Sequence, residues 1–136
     1  MKINKIQDRI IEEFSGLNDG LDKYEHLVKL GKELKVSYEG LRNEDNLISG
    51  CQSNVWLKGK IKDNKFFFFA DSEALITKGI ISLLLRVLNN QTPSDIVDAD
   101  LYFIDKIGLK SNLSPSRSNG LALIVKKIKE YGADNQ

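Results

Sequence analysis

Val55-Trp56-Leu57-Lys58-Gly59-Lys60-Ile61-Lys62-Asp63-Asn64-Lys65-Phe66-Phe67-Phe68-Phe69-Ala70 is the stretch that decides the fold. From Ser53 to Ile61 polar and apolar residues alternate, as in a strand with one wet face. Val55, Leu57 and Ile61 point one way; Asn54, Trp56, Lys58 and Lys60 point the other. Lys62-Asp63-Asn64 reads as a turn. Phe66 to Phe69 then offers apolar groups to both faces, which predicts a second strand inside the sheet. A short third strand at Asn46 to Ser49 is expected to complete it.

Outward from the hairpin the spacing turns helical. Ile3, Ile6, Ile10 and Phe14 share one face, and Gly16 with Asn18-Asp19-Gly20 ends that helix. Leu21, Tyr24, Leu27, Val28, Gly31 and Leu34 predict a second helix to about Lys35. A polar loop from Ser37 to Asn46 follows. Beyond the hairpin, Asp71 or Ser72 is a candidate cap for a helix over Glu73 to Asn89. Its polar residues Lys78, Ser82, Arg86 and Asn89 form one narrow stripe, the pattern of a helix buried on most sides. Thr92-Pro93 starts a short helical stretch to about Gly108, and Ser114-Pro115 starts the last helix. Leu121, Ile124, Val125 and Ile128 mark its buried side, Lys126, Lys127 and Lys129 its wet side. Residues Gly132 to Gln136 are expected to fray. Mostly helix around a small antiparallel sheet is an α+β fold.

The chain has 136 residues, 41% hydrophobic and 29% charged, which suits a single domain over 1–136 with its own core. With 20 basic and 19 acidic side chains, the total charge predicts no nucleic-acid partner and no membrane surface. One cysteine excludes an intrachain disulfide and points to a reducing compartment. The first helix lacks the continuous apolar region of a signal peptide, so a cytoplasmic location is expected. One His and one Cys cannot make a Cys/His zinc cage or an all-thiolate cluster site, so no metal site and no cofactor are expected. No phosphate-binding or dinucleotide glycine motif is present.

Chemistry concentrates in Ser49-Gly50-Cys51-Gln52-Ser53-Asn54. The only thiol stands in a small polar loop just before a strand. Gly50 permits a tight bend, and Gln52 and Ser53 can hydrogen-bond nearby groups. A reactive cysteine needs access and a stabilised thiolate, both available at a sheet rim. A buried, inert cysteine is the competing reading. His26, the only imidazole, falls off the apolar stripe of its helix and reads as a solvated surface residue. Arg117, at the start of the last helix, opposes the helix dipole, which draws attention to an ion-pair, anion or partner contact. Asp71 reads first as a cap and second as an acidic group near the site.

Three segments in order then carry a resemblance. They are Gly50-Cys51-Gln52-Ser53 with Val55-Trp56-Leu57, Ala70-Asp71-Ser72 with Ile76 and Lys78-Gly79, and Leu113-Ser114-Pro115-Ser116-Arg117-Ser118-Asn119-Gly120-Leu121. Together with Thr92-Pro93 they resemble the SufE family of sulfur acceptors, the Fe-S metabolism associated domain, which includes the CsdE proteins. Leu21 and Lys35 depart from that pattern, where a tryptophan and a proline are common. The resemblance implies a two-layer α+β fold, with about three antiparallel strands against helices, similar to U-type iron–sulfur scaffolds. It implies that Cys51 takes sulfur from the persulfide of a pyridoxal-phosphate cysteine desulfurase, stimulates that enzyme, and passes the sulfur to a downstream iron–sulfur scaffold. Such a protein is a carrier and activator rather than an enzyme. Asp71 and Arg117 would serve partner contact or the loop around the thiol. Competing readings are a U-type scaffold, a Cys51–His26 hydrolase and a non-catalytic interaction domain. One reactive thiol would also allow a homodimer linked through Cys51 in air.

Overall fold

Asp63 and Asn64 both take positive φ, 53° and 61°, which makes the two-residue turn whose twist matches that of its strands. The turn joins β1 (Val55–Lys62) to β2 (Lys65–Ser72), paired antiparallel from Val55↔Ser72 to Lys62↔Lys65. The computed structural model describes residues 2–17, 20–50, 53–109 and 115–136, with only the backbone of 115–118. Around the hairpin stand α1 (Lys2–Ser15), α2 (Gly20–Glu33), α3 (Leu75–Leu88), α4 (Pro93–Asp98), α5 (Phe103–Lys106) and α6 (Pro115–Asp134). The architecture is α+β, as the sequence predicts.

The sheet has two strands, fewer than expected. The segment read as a third strand makes one bridge, Leu47 to Trp56, with Ile48 N–H donating to Val55 C=O at 2.8 Å. It extends no further because Glu44–Asn46 is a turn of 3-10 helix, where Asn43 accepts the Asn46 N–H. Nor does β2 lie between strands. Its outer edge is closed by the chain leaving α3: Phe66 N–H donates to Gln91 C=O, Asn90 N–H to Phe66 C=O, and Phe68 N–H to Asn89 Oδ1. Those bonds satisfy an edge that would otherwise invite pairing.

One face of the hairpin enters the core through Val55, Leu57, Phe66, Phe68 and Ala70. The Phe66 and Phe68 rings stack at 5.3 Å, and Tyr131 of α6 meets both edge-on. Ile61 shares that face by alternation, yet it is 43% exposed, although Phe66 opposite it in the register is buried. On the outer face Phe67 is exposed, and Phe69 packs on Tyr38 at 5.2 Å.

The second layer is organised by α3, which buries Ile76, Ile80, Ile81, Leu83, Leu84 and Val87. Three residues of its polar stripe make long-range contacts: Lys78 reaches Asp71, Arg86 reaches Glu13, and Asn89 closes the sheet edge. Against it lies α2, at a distance set by two glycines. A Cβ on Gly31 would stand 2.2 Å from Leu75 C=O, and one on Gly79 would stand 2.0 Å from Leu27 C=O. No side chain fits, so the helix backbones touch directly. Helix α1 buries Ile3, Ile10 and Phe14 as its spacing predicts. Gln7 is buried beside them; its amide donates to Asp100 C=O and accepts Phe103 N–H, fixing the start of α5.

Thr92 caps α4 as read, accepting the Asp95 N–H at 3.2 Å. The caps expected for α3 do not form. Its cap position is Ala74, without a side-chain bond, and Ser72 Oγ accepts Ala74 N–H from outside the helix. The start of α6 at Pro115 agrees with the sequence; Ser114 falls outside the described residues. Two expectations at that helix's far end fail. Lys129 is not on the wet side but donates to Val97 C=O and Ala99 C=O at the end of α4. Gly132 does not fray: it is buried against Ile96, Val97 and Pro93, and the helix continues to Asp134. Among the described residues no helix is long and apolar enough to cross a membrane.

His26 ties helices together rather than facing solvent. Its Nε2 lies 2.8 Å from Glu13 Oε2, and its ring meets Phe14 edge-on at 5.0 Å. Arg86 NH1 reaches the other oxygen of Glu13 at 3.1 Å, so one carboxylate joins α1, α2 and α3. Burial alone would raise the Glu13 carboxyl, but the His26 hydrogen bond and the Arg86 charge outweigh it and hold it below its usual value.

Gly79→Ala should lower stability by about 2–3 kcal/mol in urea titrations, because nothing but backbone can yield. Gly16→Ala, with nothing within 4 Å of its Cβ, should cost far less. A carboxyl lowered by folding stabilises above its unfolded pKa and stops doing so as pH falls through the folded one. Glu13→Gln should therefore cost up to about 1 kcal/mol near pH 7, given its partial exposure, and the deficit should vanish in acid. An equal deficit at both pH values would rule out the ionic account.

Candidate functional site

The loop from Ser49 to Asn54 is anchored on both sides. At its entry, Gly50 has φ +93°, a conformation that side chains resist, and a Cβ there would meet Leu123 of α6 at 3.0 Å. The torsion thus favours glycine, and a side chain would also press on the end of Leu123. At its base, the Ile48–Val55 hydrogen bond and the Leu47–Trp56 bridge draw the two sides together. At its exit, Asn54 C=O accepts Ser72 Oγ–H at 2.8 Å and Glu73 N–H at 3.4 Å, and the Asn54 amide also donates to the Glu73 carboxylate. Ser53 is half-buried beside this junction. Cys51 and Gln52 lie outside the described residues, as does the side chain of Arg117, whose backbone stands in the first turn of α6.

Asp71 is an ion-pair centre, not a helix cap. It is paired with Trp56 in the hairpin register, and its side chain is 10% exposed. Oδ2 accepts Arg42 Nε–H at 2.9 Å; Oδ1 accepts Ser72 N–H at 2.8 Å and lies 3.6 Å from Lys78 Nζ. The Arg42 guanidinium also covers the Trp56 ring, 4.6 Å from its centroid. Two bases thus share the Asp71 carboxylate on this flank of the loop, and the Glu73 carboxylate stands at its exit. On the other flank, Leu47, Ile48 and Ser49 face Leu123, Lys126, Lys127 and Glu130 across an open cleft of about 240 Å³.

Of the residues singled out in the sequence, Gly50 and Ser53 sit on this loop and Asp71 beside its base, while His26 is engaged with Glu13 between α1 and α2. Arg42, Trp56, Lys78 and the Asn54–Glu73 contact were not foreseen as parts of the site. Lys78 had a signal, its place in the polar stripe of α3. Arg42 had none, since a turn with little periodicity carries it. Asp71→Ala should cost about 3 kcal/mol in denaturant titrations, because it strands two cations and a buried N–H. Arg42→Ala should cost about 1 kcal/mol or less, since that side chain is 52% exposed. Equal costs would contradict this division.

Comparison with known proteins agrees with this geometry. The family model for SufE, described as the Fe-S metabolism associated domain, matches residues 8–132. An uncharacterized SufE-like protein of Rhizobium etli is 38% identical over 128 residues, covering 90% of this chain and 86% of that one. One from Synechocystis is 36% identical over 120 residues, covering 88% and 76%, and one from Rhizobium meliloti is 35% identical over 127 residues, covering 90% and 91%. A hypothetical protein of Thermus thermophilus, solved in solution, has the same fold, with a TM-score of 0.77 over 96% of this chain and 95% of that one at 17% identity. The chain belongs to the SufE family, the Fe-S metabolism associated domain.

Proposed function

We propose that this protein is a sulfur carrier that accepts a persulfide sulfur on Cys51 from a pyridoxal-phosphate cysteine desulfurase, stimulates that enzyme, and hands the sulfur to iron–sulfur cluster assembly. The observation that carries the reading is the position of the chain's single thiol. Cys51 directly follows a glycine held at φ +93° in a loop anchored to the hairpin, in a chain of the SufE family. Membership supports a role in iron–sulfur metabolism, and the anchored loop supports a thiol presented for transfer.

The transfer is an exchange at sulfur. The Cys51 thiolate attacks the outer sulfur of the donor's persulfide, the donor S–S bond breaks, and the donor departs as its own thiolate. Cys51 is left as a persulfide. No net redox change and no cofactor on this chain are needed. With no second cysteine in the chain, the bound sulfur cannot be displaced as sulfide by an internal disulfide. Gly50, Gln52 and Ser53 shape the acceptor loop, Asp71 braces its base, and Arg117 is a partner or loop contact.

Incubation with an active cognate desulfurase and L-cysteine, followed by intact mass measurement without reductant, should show an increase of about 32 Da, one sulfur atom. Cys51→Ser should remove both the increase and the stimulation of the desulfurase. Absence of any adduct on the native chain, with the enzyme's turnover unchanged, would refute the carrier role.

A further inference from the structure

The lysines of the hairpin all lie on one face. Lys58, Lys60 and Lys62 alternate along β1 on the side opposite the core, and Lys65 pairs with Lys62 across the turn. Interleaved with them are Trp56, Phe67 and Phe69, with Tyr38 packed on Phe69. At β1's start, Arg42 extends the cationic row over Trp56. Over eight residues the strip is about 25 Å long. It begins where the Leu47–Trp56 bridge closes the base of the Cys51 loop and ends at the turn.

This charge is not consumed internally. Lys60 lies over the Tyr38 ring at 4.8 Å, and among the described residues Lys58, Lys62 and Lys65 enter no ion pair. The one acid on this face of the strands, Asp71, already serves Arg42 and Lys78. Like charges directly opposite one another weaken a hairpin, so the Lys62–Lys65 pair is unfavourable for the isolated chain. In a chain of net charge +1, such segregation marks a surface for an anionic partner.

The aromatic groups decide which anionic partner fits. Single-stranded nucleic acid needs free ring faces on which bases can stack. Here Arg42 covers Trp56, Lys60 covers Tyr38, and Phe69 packs against Tyr38, which leaves Phe67 as the one exposed ring of the strip. A row of lysines on a firm, mostly covered aromatic floor suits carboxylates on a protein surface. We infer that the outer face of the hairpin docks an acidic surface of the enzyme that loads Cys51, steering it to the loop at the strip's end. This rests on the carrier reading above and adds the partner's docking face and its charge.

Lys62→Glu/Lys65→Glu tests it. Both side chains are exposed, and the paired glutamates keep the like-charge contact of the native pair, so the fold is not further burdened. The loading assay is run with the full chain, the active desulfurase and L-cysteine, varying carrier concentration. The variant should need about tenfold more carrier for half-maximal loading at low salt, with little change at saturation, because surface charges act mainly on encounter. Raising the salt should close the gap. Alkylation of Cys51 by iodoacetamide should proceed at the native rate in both chains.

An unchanged concentration dependence would overturn the docking face while leaving the carrier role intact. Failure of the native chain to load would instead strike the carrier reading itself. Retention of a fluorescent oligouridylate by the native chain and not by the variant, with loading unaffected, would replace the acidic protein surface with nucleic acid.

Discussion

The direct backbone contact between α2 and α3 is the constraint on which the rest of the structure depends. Gly31 and Gly79 each accept a carbonyl of the opposite helix where any side chain would intrude. That approach sets α3 as the centre of the helical layer, and α3 in turn fixes much else. Its N-terminal half presents Lys78 to Asp71 at the base of the loop. Its C-terminal end delivers Asn89, Asn90 and Gln91 to the open edge of β2. A looser pair of helices would shift both ends of the hairpin, and interiors packed this closely do not absorb such shifts locally.

The loop that carries the thiol inherits its setting from three directions: the hairpin at its base with Glu73 just beyond it, α3 through Lys78, and α6 through Leu123 behind Gly50. The hairpin and α3 follow one another in sequence, and α6 is remote from both. Arg42 joins them from the bend before the 3-10 turn, and Lys126, Lys127 and Glu130 of the final helix line the cleft on the other side. Charges of both signs thereby meet around one short loop.

Much of this was legible before folding. Periodicity placed the long helices because burial of one stripe is what selects them, and Asp63-Asn64 announced the turn because few residues other than glycine tolerate left-handed torsions. Thr92-Pro93 gave a cap for the same local reason. What escaped was decided by distant neighbours. Ile61 alternates correctly yet stays 43% exposed, while its partner across the hairpin, Phe66, is buried against Tyr131. Lys129 looks like a solvent-facing lysine until the carbonyls at the end of α4 claim it. Asp71 looks like a cap, but the strand runs on through it to Ser72 and the helix starts only at Leu75, so its carboxylate goes to Arg42, remote in sequence. The cysteine itself was found by its motif, a signal that burial patterns do not carry.

Trp56 is the chain's single tryptophan, and it lies beneath the Arg42 guanidinium at the base of the loop. The molecule therefore contains its own optical reporter at the place where a partner would arrive. A cation resting on an indole ring perturbs its excited state, and displacing Arg42 would expose the ring to water. Native fluorescence, with no label attached, reads the state of one contact on this protein rather than an average over many.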